Sequence, residues 1–289
     1  MKLRMPTFRG LGSGLKLFFI GALMFVIGAL LSFWWLLPVE PLQQRVLQEI
    51  SRETGVQMQA QNTALMFPGG LRMDMVIRSQ VPELNDFAVD NLRLRPVWTS
   101  LVTGSPAVSM KGLLAGGAIT STMTGKGALD TEVRGLDILR LLRADLPYRL
   151  GGVLSAQVKA DRLLGGARQA EGAFTVDVGE AVALGLDQIG FDPELPLGRI
   201  QVTGQFENMR VNLERAVITG GALEVNGSGT IFAGATPAKT RLNLSVRLQP
   251  TARTPAGLRD LLSLTGARPD ADGSYQFQIG GTLARPVMR

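Results

Sequence analysis

The stretch Arg241-Leu242-Asn243-Leu244-Ser245-Val246-Arg247-Leu248 alternates polar and apolar side chains without a break. Successive side chains of a β-strand point to opposite faces, so this segment has one apolar and one polar face. The same period recurs upstream. Phe174, Val176 and Val178 alternate with Thr175 and Asp177, and Ala156, Val158 and Ala160 with Gln157, Lys159 and Asp161. Such segments suit an antiparallel sheet that is wetted on one side.

Glycine and proline punctuate the pattern. Pro68-Gly69-Gly70, Gly116-Gly117, Gly125-Lys126-Gly127, Gly151-Gly152, Gly165-Gly166 and Gly220-Gly221 read as turns or bends. Between them the alternation predicts strands near 56–66, 71–79, 87–94, 107–112, 118–124, 127–134, 148–162, 168–178, 198–206, 209–218, 222–232, 239–249 and 273–283. Three short helices interrupt them: Val97 to Thr103, Leu136 to Arg143 with Leu136, Leu139 and either Leu142 or Leu141 on one side, and Pro255 to Leu264, whose proline suits a first helical turn. Strand, turn and leucine-rich helix follow one another around 87–103, 127–143 and 239–264, without a constant repeat. The fold class is mainly β: a large, mostly antiparallel, curved sheet with a few short helices.

Ahead of the β region stands LFFIGALMFVIGALLSFWWLL, residues 17–37, whose only polar side chain is Ser32. As a helix it is about 31 Å long, enough to cross a bilayer's hydrocarbon core. Leu17, Phe18, Phe19, Ile20, Phe25, Leu31 and Leu37 supply its apolar surface, and Trp34 and Trp35 suit a membrane–water interface. The run exceeds the apolar part of a cleaved signal peptide and no small-residue cleavage site follows, so a retained anchor is expected. Lys2, Arg4, Arg9 and Lys16 precede it with no acidic residue. The positive-inside rule therefore places residues 1–16 in the cytoplasm and 38–289 on the far side of the membrane. Pro38 and Pro41 mark the exit. Leu42, Val46, Leu47 and Ile50 recur at helical spacing before Gly55, which makes 38–55 an amphipathic linker helix and 56–289 the β-rich domain.

Composition narrows the function. The net charge is +6, but outside residues 1–37 there are 26 basic residues against 24 acidic ones. Lacking a basic patch, the domain does not look like a nucleic-acid binder, and the basic flank suits topology and anionic lipid headgroups. The chain has neither cysteine nor histidine. Triads built on histidine, thiolate nucleophiles and the usual zinc ligands are therefore excluded. Gly125-Lys126 has Thr120 where a phosphate loop needs glycine and Gly127 where it needs Ser or Thr, so it reads as a hairpin turn. Asp270-Ala271-Asp272-Gly273 begins like a calcium loop, yet no acidic residue follows it, and it reads as a turn. Lys159 with Asp161, and Glu207 with Arg210, read as surface charges. No residue is assigned to catalysis, to a cofactor, to a metal or to a small-molecule substrate. The apolar stripes read as core. Their functional alternative is a lipid-binding groove, because an apolar sheet face must be covered by protein or by an apolar ligand.

The order of parts carries a resemblance. A short basic N-terminus, one span, Leu37-Pro38-Val39-Glu40-Pro41 and a glycine-rich β domain resemble the type II secretion system protein N (GspN) family. Phe67-Pro68-Gly69-Gly70-Leu71, Leu94-Arg95-Pro96-Val97-Trp98-Thr99-Ser100-Leu101 and Gly280-Gly281-Thr282-Leu283-Ala284-Arg285-Pro286 fit it as well. The chain is also similar to AsmA-like proteins, in which a membrane-anchored sheet faces the periplasm. The first resemblance implies a non-catalytic inner-membrane component of the type II secretion apparatus whose partners are other secretion components. The second implies an envelope protein that handles membrane lipids along a curved sheet.

Overall fold

The computed structural model describes residues 57–66, 69–78, 84–102, 104–163, 169–189, 192–234, 236, 238–264 and 268–288. The chain divides into two units, Met1–Glu49 and Ile50–Arg289, and every described residue belongs to the second. The expected basic segment 1–16, membrane helix 17–37 and linker helix 38–55 lie outside the described residues. Among those described, no helix is long and apolar enough to cross a membrane.

The second unit is one 14-stranded antiparallel sheet in which every strand pairs with its successor. The strands are β1 (Gln57–Met66), β2 (Gly70–Arg78), β3 (Phe87–Pro96), β4 (Ala107–Leu114), β5 (Gly117–Thr124), β6 (Leu129–Asp137) and β7 (Arg149–Asp161), followed by β8 (Glu171–Leu184), β9 (Glu194–Glu207), β10 (Arg210–Gly220), β11 (Leu223–Phe232), β12 (Arg241–Pro250), β13 (Tyr275–Thr282) and β14 (Arg285–Met288). Short connections make consecutive strands neighbours, and alternating direction lets each hairpin close locally. Three short α-helices, α1 (Trp98–Val102), α2 (Ile138–Leu141) and α3 (Ala256–Leu264), follow β3, β6 and β12, and a 3-10 turn at Leu186–Ile189 follows β8.

Each stretch expected as a strand forms one, with three differences. First, β8 runs on to Leu184 and β9 begins at Glu194, beyond the expected limits of 178 and 198. Pro196 is tolerated because the start of β9 pairs only with β8; pairing with β10 begins at Gly198. Second, Leu136 belongs to β6 and not to a helix. The Asp137 carboxylate accepts a hydrogen bond from the Leu139 backbone N–H at 3.0 Å, and this cap starts α2 at Ile138, two residues later than expected. Third, β14 was not expected from the sequence, and it carries Pro286. At a sheet edge its missing N–H costs no ladder bond.

Six strands carry register irregularities, among them Val133/Leu136 on β6, Val178/Ala181 on β8 and Leu213/Ala216 on β10. Those three stand where the apolar residues slip from a spacing of two to a spacing of three. A bulge inserts one extra residue, so the slip leaves the later residues on the same face. On β1 and β3 the bulges are formed by Asn62 and Asn91, with φ of 51° and 52°. Asparagine tolerates this left-handed conformation better than most side chains. Asp74 on β2, between them, ties both: its carboxylate accepts from the Asn62 side-chain amide and from the Asn91 backbone N–H, each at 2.9 Å.

Fully buried residues are few. Met73, Val89 and Leu92 form the one buried apolar cluster among the described residues, between β2 and β3. Elsewhere the pattern is that of β12, where apolar residues are half-buried and polar ones exposed, in strict alternation. The most extensive contacts between described elements join sequence neighbours: each strand to the next, α1 to β4 and α2 to β7. All the described strands belong to this one sheet, whereas most domains bury a sheet face against a second layer.

Candidate functional site: the apolar face of the sheet

Residues directly opposite each other in an antiparallel ladder share a face. The registers therefore trace rows across the sheet. One row starts at Leu136 on β6 and passes through Leu154, Val178, Ile200, Ile218 and Val225 to Leu248 on β12. Every member is apolar, and the row continues to Tyr275 on β13. The bulges keep it in phase: Leu136 lies beyond the β6 bulge and Ile218 beyond the β10 bulge. At about 4.8 Å per strand, seven such steps extend about 34 Å across the sheet.

Two further rows of the same face set large side chains against glycine. Phe174 on β8 lies opposite Gly204 on β9, and Phe206 on β9 lies opposite Gly172 on β8. A Cβ at Gly204 would stand 2.8 Å from the Phe174 ring, and one at Gly172 would stand 2.7 Å from the Phe206 ring. The rings lie across the bare backbone of the adjacent strand, which gives glycine in mid-strand an aromatic cover. On β13, Tyr275 and Phe277 stack with ring centroids 6.4 Å apart.

The other face is polar and braced by charge. Asp177 forms an ion pair with Arg199 at 2.6 Å and accepts from Gln201 at 2.8 Å. The Arg199 hydrogen bond holds the Asp177 carboxyl below the usual carboxylate range, and the guanidinium is raised in turn. Lys159, read with Asp161 from the sequence, instead approaches Asp130 on β6 at 3.9 Å. Glu207 and Arg210 stand opposite each other at the β9–β10 hairpin, and the Arg210 guanidinium also lies 5.5 Å from the Phe232 ring centroid.

The two motifs that resemble ligand loops are turns. Gly125 and Lys126 sit in a hairpin closed by the Thr124 N–H donating to the Ala128 carbonyl at 2.8 Å. Asp270 to Gly273 forms the turn into β13, where Asp272 accepts from the buried Ser274 hydroxyl at 2.7 Å and pairs with Arg247. Among the described residues, no group of three or more acidic side chains is placed to hold a metal ion. The anchor residues Leu17, Phe18, Phe19, Ile20, Phe25, Leu31, Trp34, Trp35 and Leu37, and the charges Lys2, Arg4, Arg9 and Lys16, lie outside the described residues.

Two stretches that carried the resemblance meet in space. Leu71 pairs with Leu94 across β2 and β3. The Trp98 ring of α1 covers the turn before β2, reaching within 2.8 Å of where a Cβ at Gly69 would stand. Gly69 has φ of 78°. The position excludes a side chain on both counts.

Residues 76–278, more than two thirds of the chain, match the family model for type II secretion system (T2SS), protein N. The chain belongs to the type II secretion system protein N family. No curated protein and no solved structure matches it. The matched segment of this protein N chain runs from the end of β2 into β13 and so contains the whole row from Leu136 to Tyr275. The sequence had shown the faces of single strands. That bulges join them into one unbroken apolar surface was missed, although the three-residue spacings at Val133–Leu136 and Leu213–Ala216 carried that signal.

Proposed function

We propose that this T2SS protein N acts without catalysis, as an inner-membrane-anchored scaffold in the periplasm that supports export of folded proteins across the outer membrane. It binds other secretion components through the apolar face of its sheet. The observation that carries this reading is the unbroken apolar row from Leu136 to Tyr275, on the one sheet that holds every described strand. A large apolar surface marks a binding site in the absence of any other cover. The anchor at 17–37, with its basic N-terminal flank, holds that surface beside the bilayer.

Site-specific photocrosslinking in secreting cells tests the scaffold role. A crosslinker at Leu244 or Val176 should capture other secretion components, and one at Ser245 or Thr175 on the polar face should not. Topology is checked by protease added to spheroplasts, which should degrade residues 38–289; full protection contradicts the anchor.

A second reading is favoured by the half-burial of most of that row: Leu154, Ile200, Ile218, Val225, Leu248 and Tyr275. An open apolar face takes acyl chains as readily as protein, as in an AsmA-like lipid carrier. Reproducible phospholipid in native mass spectra of detergent-extracted protein supports that occupant, and a lipid-free protein that still crosslinks to secretion components rejects it.

A further inference from the structure

The two edges of the sheet differ. β14 has four residues and carries Arg285 and Pro286. Short length, charge and proline are the devices by which natural sheets block pairing at an edge. β1 has ten residues, QMQAQNTALM, with no charge and no proline. No described strand pairs with its outer side. Among the described residues its one protective feature is the bulge at Asn62, which leaves Gln57–Gln61 as regular edge.

We propose that Gln57–Gln61 of β1 pairs antiparallel with the same segment of a second copy of this chain. An uncharged strand can face itself without placing like charges opposite each other. A two-fold axis at Gln59 sets Gln59 against its counterpart and Gln57 against Gln61 of the second copy. The exposed Gln59 amide both donates and accepts, so two identical copies satisfy one another. The contact is isologous and closes as a dimer. Addition onto β14 instead would meet Pro286, which has no N–H to give. The two-fold axis is perpendicular to the sheet, so both apolar faces lie on one side. Ala60, opposite Met75 on the apolar face, then continues that surface across the junction.

The test uses the full chain in detergent, with the detergent contribution subtracted from the mass. Sedimentation should give twice the chain mass for the parent protein and a single chain for Gln59→Lys/Gln61→Lys with an unchanged circular dichroism spectrum. Thr175→Lys, exposed on an inner strand, should stay dimeric. Because the chain has no cysteine, Gln59→Cys should form a disulfide-linked dimer on mild oxidation, and Thr175→Cys should not. That crosslink decides the matter if the lysine variant fails to fold. A monomeric parent protein, a dimer that survives the lysine substitutions, or the absence of a Gln59→Cys crosslink overturns the proposal.

Discussion

Phe174 on β8 and Gly204 on β9 occupy one site between them: two ring carbons of Phe174 lie 2.8 and 3.0 Å from where a Cβ at position 204 would stand. The Asn212 carbonyl oxygen is nearer still, at 2.5 Å from the same point, and backbone cannot swing away. Gly204→Val should therefore lower stability by about 1–3 kcal/mol, the usual cost of overpacking. Phe174→Ala loses apolar contact on a half-buried face and should cost about 1–2 kcal/mol. Urea unfolding of the detergent-solubilised protein measures both. Equal stability of Gly204→Val and the parent would mean that the ring does not lie across that glycine.

The two faces should respond differently to charge. Val178 is 4% exposed and sits within the apolar row. Val178→Asp places an unpaired carboxylate there and should cost several kcal/mol or abolish folding. Asp177→Asn, one residue away on the polar face, removes an exposed ion pair with Arg199 and should cost under about 1 kcal/mol. Comparable losses from the two neighbours would contradict the assignment of faces.

Acid should weaken the sheet near its first three strands. Hydrogen bonds from the Asn62 side chain and the Asn91 backbone hold the Asp74 carboxyl below its ordinary value. A depressed carboxyl stabilises the folded state above the ordinary aspartate range, about pH 4, and that contribution is lost as pH falls through the lower folded-state value. The parent protein should thus lose more of its urea midpoint between pH 7 and about pH 3 than Asp74→Asn does. Asp145, Asp177 and Asp272 are shifted the same way and should keep a residual acid dependence in the variant. Identical pH profiles for the two proteins would remove Asp74 from the account.

Much of this fold was legible because period-two alternation is a local property. Leu242, Leu244, Val246 and Leu248 declare their face without reference to any neighbour. The bulges were harder, because a slip such as Val178 to Ala181 reads locally as the end of a strand. Only the pairing of both neighbours shows that β8 continues beyond Gly179–Glu180, where Glu180 takes a φ of 53°. Pro196 and Pro286 sit in strands for a related reason: proline ends a strand paired on both sides but is tolerated on one paired on a single side. The functional surface was less legible than the strands. It is a property of registers, and registers become visible only when Leu154 is seen opposite Val178 and Val178 opposite Ile200.

The central claim is that the apolar face is the working surface of this T2SS protein N. The most direct measurement places a photoreactive side chain at Leu244 and, separately, at Ser245, adjacent residues on opposite faces of β12. After irradiation of secreting cells, the account predicts a specific crosslinked secretion component at Leu244 and none at Ser245. Capture of such a component from Ser245 with none from Leu244, or equal capture from both, would contradict it.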